Sequence, residues 1–320
     1  MAAALVLGAP AISAQEAKYP SRTITLVIPY GPGSANDILA RMLAPEVATH
    51  LNQSVVIENK PGAGGSIGTA AIARAKNDGY TVGLGGSATL GVNPALYKTL
   101  PYSAQSDFTR VLKLASTPNV LVVPAEAKIA NTQDFLAQMK SRTLRYNSQG
   151  NGTTAHLAGA LVAHQLNVKA DHIPYKNAGE MLTALLTSQV DFGLHPLAGV
   201  IGQIRDGRLR ALGVSTLNPS KALPNVPSLI PDLRATGLKN FEYANVWFGI
   251  IAPKGIPRDA QMALHGAFVA ALSKPVIRDK LISMGYELEP SASPEEFEQF
   301  LRDQQGFWVD LVRISGAKVE

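Results

Sequence analysis

The chain has 320 residues, of which 46% are hydrophobic and 17% are charged, and it contains no cysteine. This composition excludes a disordered protein, disulfide bonds, thiolate catalysis and thiolate metal sites, and the length favours two domains. The net charge of +5 comes without a long basic run or many aromatic residues, so we expect no nucleic-acid partner. The six histidines lack the spacing of a zinc site, so we expect no bound metal.

The first residues, 1–18, resemble the apolar part of a secretory signal that has lost its basic start. Small residues supply a cleavage region near Ala14, and the apolar stretch is too short to cross a membrane as a helix. We therefore expect a signal-peptide remnant at 1–18 and export of the mature protein to the periplasm.

A strand, a glycine-rich turn and a helix alternate along the first part of the chain. The predicted elements are a strand at 23–29, a helix at 37–51 that Pro45 should kink or divide, a strand at 54–59, a small-residue helix from Thr69 and a strand at 80–86. This alternation is typical of a parallel sheet covered by helices.

The same pattern restarts after residue 118. We predict strands at 119–124, near 145–148, 171–175, 190–196 and 209–215, with helices from about Thr154 and at 178–189 between them. A proline-rich surface connection at 217–231 leads to a strand at 246–253 and to helices near 257–272, 274–284 and 294–313. Two α/β units in one chain indicate two Rossmann-like lobes with a ligand cleft between them.

Two strand–turn–helix segments, 27–42 and 145–161, contain turns of the same chemistry. Each joins a strand to a helix through Gly, Asn and Ser or Thr, and neither turn contains a basic residue. A helix N-terminus presents free N–H groups and a positive partial charge, so two such turns on facing lobes are suited to hold one carboxylate. The alternative is that their side chains only cap the helices, through Ser34 or Asn36 in the first and Thr153 or Thr154 in the second.

Residues 64–68 read GGSIG and match the G-x-S-x-G pattern of a hydrolase nucleophile elbow. Five residues separate the end of the preceding strand from Gly64, and this spacing is wrong for an elbow. We therefore expect Ser66 to be a helix cap, and a serine hydrolase stays open as the alternative. Neither a dinucleotide fingerprint nor a phosphate-binding loop occurs in the chain, so we expect no cofactor and no catalytic residue.

Several segments together resemble the periplasmic substrate-binding proteins of the tripartite tricarboxylate transporters, the Bug family. They run from about residue 19 to the C-terminus and include YPSRTITLVIPYGPGSANDILAR, VVIENKPGAGGSIGTAAIARAKNDGYT, YNSQGNGTTAHLAG, IPYKNAGE, VWFGIIAPKGIP and SPEEFEQFL.

The resemblance implies a type II periplasmic-binding-protein fold, also called a Venus flytrap. Residues 19–123 and 244–320 would form the first lobe and 124–243 the second, with crossover strands near 119–124 and 243–250. It also implies capture of a carboxylate and its delivery to membrane transporter subunits by a monomer. A sensory binding protein that docks to a receptor is the alternative partner arrangement.

The resemblance also implies where the ligand lies, between the turn after the first strand and the Gly-Asn-Gly turn of the second lobe. Ser34 stands where the family usually has glycine, so its hydroxyl is a candidate extra ligand contact. The predicted ligand-binding residues are Tyr30, Gly33, Ser34, Ala35, Asn36, Asp37, Ser87, Ser148, Asn151, Gly152, Thr153, Thr154, Tyr175 and His195.

Three side chains of the predicted cleft invite separate hypotheses. His195 is expected either to donate a hydrogen bond to a second ligand carboxylate, and to charge to match it, or merely to order its loop. A hydrogen bond from His195 to a second carboxylate would favour a dicarboxylate as the ligand. One candidate is an aromatic diacid such as terephthalate, with its ring beside Tyr30. His156 is expected to satisfy backbone groups, and Trp247 to be a packing residue that reports lobe closure by its fluorescence.

Overall fold

The computed structural model describes residues 19–235 and 245–317, so the signal-peptide prediction for 1–18 lies outside the described residues. The strands are β1 Ile24–Ile28, β2 Val55–Asn59, β3 Thr81–Gly86, β4 Phe108–Thr117, β5 Asn119–Pro124, β6 Leu144–Ser148, β7 Ala170–Pro174, β8 Phe192–Pro196, β9 Leu209–Val214, β10 Val246–Pro253 and β11 Glu287–Leu288. The helices are α1 Ala35–Leu51, α2 Ser66–Ala73, α3 Asn93–Leu96, α4 Thr132–Ser141, α5 Thr154–Gln165, α6 Ala178–Leu186, α7 Leu197–Arg205, α8 Ile230–Ala235, α9 Arg258–Ser273, α10 Pro275–Ser283 and α11 Pro294–Ser315. A 3₁₀ turn at Ala63–Gly65 precedes α2, and a π-helical turn at Ser87–Val92 follows β3.

These elements form two sheets, one for each lobe, which confirms the predicted two-lobed α/β architecture. The first sheet has the strand order β11-β4-β10-β3-β1-β2, and the second has the order β7-β6-β8-β5-β9. Strands β1 to β3 are mutually parallel where they pair, and so are β6 to β8, as helix-connected strands should be. Both sheets are mixed, because β10 and β5 pair antiparallel with their neighbours.

The antiparallel strands have a topological cause. Only Pro118 separates β4 in the first sheet from β5 in the second, so the chain enters the second sheet without a crossover helix. Strand β5 pairs with β8 and β9, which places Asn119–Pro124 in the second lobe. The expected boundary at residue 123 is therefore five residues too late, and the return segment at 236–244 lies outside the described residues.

Two local expectations also need correction. Helix α1 is continuous through Pro45, which lies on the exposed side of the helix, where its missing N–H is tolerated. Strand β4 escaped prediction because Thr109, Arg110 and Lys113 interrupt its apolar pattern. Arg110 is nevertheless buried, since its guanidinium donates to the carbonyl oxygens of Phe108 and Ala104 and is paired with Glu298.

The C-terminal helix α11 connects the lobes at one side of the cleft. It packs on β4 of the first sheet and on α5 of the second lobe. Phe297, Trp308 and Leu311 of this helix share one buried cluster with Leu157 and Leu161 of α5. Within the described residues, no helix combines the length and the apolarity needed to span a bilayer.

The close packing of α11 on the sheet predicts a stability effect at Gly249. A methyl group at Gly249 would lie 2.3 Å from Cζ of Phe297, a fully buried ring held edge-on against Trp247. We expect Gly249→Ala to lower the free energy of unfolding by about 1–3 kcal/mol, measured by urea denaturation.

The matched control is Gly266→Ala in α9, where an added methyl group meets nothing within 4 Å. That variant should be more stable than the wild type by up to about 1 kcal/mol. Equal stability of both alanine variants would contradict the described packing of Phe297.

Candidate functional site

The turn after β1 is organised by its own side chains. Ser34 is the N-cap of α1 and accepts a hydrogen bond from the Asp37 N–H at 3.2 Å. The buried Asp37 carboxylate accepts from the Gly33 N–H and from Arg41 Nε, both at 2.9 Å, and from the Asn59 amide. Burial opposes ionisation of Asp37, but these hydrogen bonds prevail and hold its pKa below the usual value.

The second-lobe turn is built in the same way. Thr153 is the N-cap of α5, and its Oγ1 accepts from the His156 N–H at 3.3 Å. His156 Nδ1 accepts from the Gly152 N–H, as expected for a residue that satisfies the backbone. The Ser148 hydroxyl lies 2.7 Å from His172 Nε2 and also bonds to both backbone groups of Gly150, so it is used inside the lobe.

A cavity of about 40 Å³ lies between the two turns. This volume has room for roughly one or two water molecules. Both lobes contribute to its wall, which consists of Tyr30, Ala35, Asn36, Gly86, Ser87, Ala88, Gln149, Thr153, Thr154, Ala155, His195, Pro196, Val246 and Trp247.

The first two residues of each helix line this cavity, Ala35 and Asn36 in α1 and Thr154 and Ala155 in α5. N–H groups at the first two positions of an α-helix have no intrahelical acceptor. The caps Ser34 and Thr153 bond to the third N–H of each helix and leave the first two for a ligand. The capping and anion-binding readings of the turns are therefore compatible, since side chains cap the helices while backbone groups face the cavity.

Four polar atoms in the cavity wall are buried without a protein partner: Ser87 Oγ, Gln149 Oε1, His195 Nδ1 and Trp247 Nε1. The residues Ser87, His195 and Trp247 are at most 5% exposed. Leaving such an atom unpaired costs about 1–3 kcal/mol. Their convergence on one small cavity is typical of a site whose remaining hydrogen bonds are completed by a ligand.

His195 lies on β8, and its side chain forms a hydrogen bond with Asn147. Its Nε2 lies 2.8 Å from Asn147 Oδ1, and the Asn147 amide nitrogen donates to the Met181 carbonyl at 2.7 Å. Burial lowers the pKa of His195 to about 4, so the ring is neutral at pH 7 and its one N–H donates to Asn147. Because that hydrogen is shared with Asn147, donation from His195 to a ligand carboxylate would need a second, charged N–H, and the expected ligand contact stays a prediction.

The two lobes touch directly beside the cavity. Tyr97 of the first lobe donates its hydroxyl hydrogen to the Asn151 carbonyl at 2.9 Å. A methyl group at Gly64 would lie 2.0 Å from that same oxygen, and one at Gly152 would lie 2.1 Å from Asn93 Oδ1. The cleft is therefore closed at this contact, where the backbone of Gly64 approaches the backbone of Asn151.

The closed contact changes the assignment of several predicted site residues. Asn151 and Gly152 serve the contact between the lobes, and Tyr175 packs against an apolar cluster that includes residues of β5 and β9. Gly33, Ser34, Asp37 and Ser148 are occupied in ordering the turns and do not line the cavity. The predicted residues that do line it are Tyr30, Ala35, Asn36, Ser87, Thr153, Thr154 and His195.

Gln149 and Trp247 are the important cavity residues missing from the sequence prediction. Gln149 lies within a predicted turn, next to Ser148, which the sequence predicts as a ligand-binding residue. This position in the turn is the sequence feature that points to Gln149. Trp247 was interpreted as a packing residue, and it does pack edge-on against Phe297 and Phe300. It also lines the cavity because the start of β10 passes between the lobes.

Ser66 does not have the surroundings of a catalytic serine. It is buried at the start of α2, and its hydroxyl accepts a hydrogen bond from the Asn93 amide at 3.1 Å. An amide nitrogen cannot act as a general base. The expectation that Ser66 caps α2 is also wrong, since Gly65 occupies the cap position and no side chain bonds there.

A second, larger cavity of about 660 Å³ lies on the other side of Trp247, within the first lobe. Its wall includes Tyr102, Arg110, Glu298 and Trp308. It receives no residue from the second lobe, so lobe closure does not enclose it. Across residues 19–235 and 245–317, no group of His, Asp or Glu side chains is arranged to hold a metal ion.

Comparison with known proteins gives a family match along most of the chain. Residues 39–316 match the model of the tripartite tricarboxylate transporter family receptor. The chain is 34% identical, over 92% of its length and 86% of the relative's, to a UPF0065 protein from the tcbD-tcbE intergenic region of Pseudomonas sp. strain P51. It is 32% identical to Protein BugT of Bordetella pertussis, over 94% and 92% of the two chains.

Solved structures agree with this match. The periplasmic binding protein BugD is similar with a TM-score of 0.88 and 29% identity, covering 94% of this chain and 100% of its own. MatC of Rhodopseudomonas palustris, with bound malate, has a TM-score of 0.85 and 28% identity, with 92% and 100% coverage. Rpa4515 of R. palustris, with adipate, has a TM-score of 0.87 and 28% identity, with 94% and 100% coverage.

The backbone contact at Gly64 predicts a defect in lobe closure. Gly64 has φ +59°, and an added methyl group there would collide with the Asn151 carbonyl across the cleft. We expect Gly64→Ala to shift the protein towards an open form with a larger radius of gyration in small-angle X-ray scattering.

Gly207→Ala is the matched control, because Gly207 has φ +70° and nothing lies within 4 Å of its added methyl group. Both variants place alanine in the left-handed backbone region, which costs on the order of 1–2 kcal/mol. Only Gly64→Ala should also block closure of the lobes. An unchanged radius of gyration for Gly64→Ala would contradict the closed contact.

Proposed function

The chain belongs to the tripartite tricarboxylate transporter receptor family, and from this premise we propose that it captures a carboxylate between its lobes and delivers it to the membrane subunits of a transporter. The proposed site of action is the periplasm, after cleavage of the signal near Ala14, and the proposed working form is a monomer. Relatives of this chain include the periplasmic binding protein BugD.

One observation carries the proposal: helices α1 and α5 of opposite lobes direct their N-termini at one closed cavity. Each N-terminus carries a partial charge of about +0.5 and free N–H groups, which together suit an anion. Ser87 adds a buried hydroxyl without a protein partner. A carboxylate would satisfy donors from both lobes at once and would therefore bind the closed form better than the open one.

The charge of the cavity favours reversible binding. No Lys or Arg is among the described residues that line it, and the donors that these residues offer to an anion are neutral. Hydrogen bonds from neutral groups are roughly half as strong as those from charged groups. Release to a transporter then requires only that the lobes separate, since opening removes one of the two helix ends from the ligand.

Closure would follow from ligand binding by a shift in population. A ligand shifts an open–closed equilibrium only to the extent that it binds the two forms unequally. Here the closed form alone brings the α1 and α5 termini together, so the difference in affinity arises from the geometry itself. Hinged closure around a ligand is an established kind of protein motion.

A dicarboxylate is the favoured ligand class within this proposal. Its support is that two similar proteins of known structure contain malate and adipate, each with two acid groups. An aromatic diacid such as terephthalate has the support of Tyr30 and Trp247 in the cavity wall. The closed cavity of about 40 Å³ is too small for either, so the lobes would stand further apart around a bound ligand than they do in this structure.

Binding without catalysis is part of the proposal. The alternative of a serine hydrolase would need a base beside Ser66, and its hydroxyl is bonded to the Asn93 amide. A sensory role for the same cleft would leave ligand binding unchanged and alter only the docking partner.

A thermal-shift panel of mono-, di-, tri- and aromatic carboxylates tests the proposal. A carboxylate at 100 times its dissociation constant should stabilise the protein by about 2.7 kcal/mol and raise its melting temperature. Ser87→Ala should reduce the shift for every acid that binds, because it removes a buried donor from the cavity. The absence of a shift with all of the acids would contradict the proposed function.

A further inference from the structure

We infer that His195 presents a bare nitrogen lone pair to the ligand, and that the ligand is therefore a hydroxycarboxylate whose hydroxyl hydrogen bonds to Nδ1 of this ring. The inference rests on the proposed function, since it assumes that a carboxylate occupies the cavity. It adds a requirement that a plain dicarboxylate does not meet.

The orientation of Asn147 is the first step. This fully buried side chain lies with one end against the Met181 carbonyl at 2.7 Å and the other against His195 Nε2 at 2.8 Å. A carbonyl oxygen only accepts hydrogen bonds, so the amide nitrogen must be the end that faces Met181. The reverse orientation would place two oxygen atoms in repulsive contact, and Oδ1 therefore faces the histidine.

The tautomer of His195 follows from this orientation. Asn147 Oδ1 is an acceptor, so Nε2 must carry the hydrogen that is shared between the two residues. A neutral imidazole has one N–H, so Nδ1 carries no hydrogen and has a lone pair that can accept a hydrogen bond. Rotation of the ring by half a turn is opposed because it would give up the bond to Asn147.

The protonated form of His195 is disfavoured by its surroundings. Within residues 19–235 and 245–317, no Asp or Glu lines the cavity, and the other titratable residue in the wall is Tyr30, which burial keeps neutral by raising its pKa. The pKa of His195 itself is lowered to about 4 by burial. At pH 7 the charged ring is therefore disfavoured by about a thousandfold, and a ligand that needs it must supply that difference.

The cavity thus has a donor side and an acceptor side. The first N–H groups of α1 and α5 and the Ser87 hydroxyl can donate to a carboxylate. The Nδ1 atom of His195, which has no protein partner in a residue that is 1% exposed, can only accept. A ligand that carries both a carboxylate and a hydroxyl completes both sides.

A hydroxyl group fits the acceptor side better than an ammonium group does. Both groups donate hydrogen bonds, but an ammonium carries a full positive charge, and no carboxylate side chain lines the cavity to balance it. Burying an unpaired charge costs far more than burying a hydrogen-bonded hydroxyl. Hydroxy acids are therefore expected to bind more tightly than the corresponding amino acids.

Isothermal titration calorimetry at pH 7 with matched acids tests this inference. The pairs differ only by a hydroxyl group: lactate and propionate, malate and succinate, 2-hydroxyglutarate and glutarate, mandelate and phenylacetate. In the pair that binds tightest, the hydroxylated acid should bind at least about tenfold more tightly, since its absence leaves a buried acceptor unpaired. Aspartate, the ammonium counterpart of malate, should bind less tightly than malate.

The variant His195→Gln separates the acceptor from the ring's structural role. Glutamine can still donate to Asn147 from the position of Nε2, but it has no acceptor at the position of Nδ1. The preference for the hydroxylated acid should fall towards unity, mainly through weaker binding of that acid. His50→Gln, at an exposed histidine near the end of α1, should keep the wild-type preference.

Two measurements on the wild type keep the test independent of the variant's folding. Titration in buffers of different ionisation enthalpy should show no proton uptake on binding, and histidine ¹⁵N spectra should show a ring with bare Nδ1. Uptake of about one proton with a plain diacid, or equal affinity for both members of a pair, would overturn the inference alone. Failure of every acid to bind would overturn the proposed function and this inference together.

Discussion

The absence of a side chain at residue 64 is the constraint on which the closed site depends. The peptide groups of Gly64 and Asn151 meet across the cleft, and no Cβ atom would fit between them. This contact brings the N-terminus of α5 towards that of α1 and seals the cavity beside it. The glycine-rich loop that carries a hydrolase-like pattern is thus needed for shape, and its serine takes no part in chemistry at the site.

Closure also sets the electrostatics of the cavity. Ser87 and His195 are deeply buried in the closed form, and burial is what lowers the pKa of His195. Ser34 and Thr153 accept hydrogen bonds from the third N–H of their helices. The first and second N–H groups of each helix stay available to a ligand between the lobes. A small set of neutral groups therefore distinguishes a carboxylate end from a hydroxyl end of one ligand.

The strongly periodic parts of the fold were predictable from the sequence, and the irregular parts were not. Strand β1 and helix α1 follow from their apolar spacing, whereas β4 was missed because Arg110 is buried through carbonyl and carboxylate partners that sequence spacing does not reveal. Residues of both predicted turns line the cavity, and their role in ligand binding stays a prediction. The roles of Ser34 and Asn151 within them depended on the distance between the lobes, which no local pattern encodes.

The chemistry of His195 shows the same limit. It lies in the cavity wall, but its hydrogen bond to Asn147, which donates in turn to the Met181 carbonyl, could not be read from the sequence. The most direct measurement is a crystal structure of the protein with its tightest-binding hydroxycarboxylate. The carboxylate should lie at the N-termini of α1 and α5 beside Ser87, with the hydroxyl oxygen within hydrogen-bonding distance of His195 Nδ1. A ligand carboxylate against His195, or a ligand in the larger cavity beyond Trp247, would contradict it.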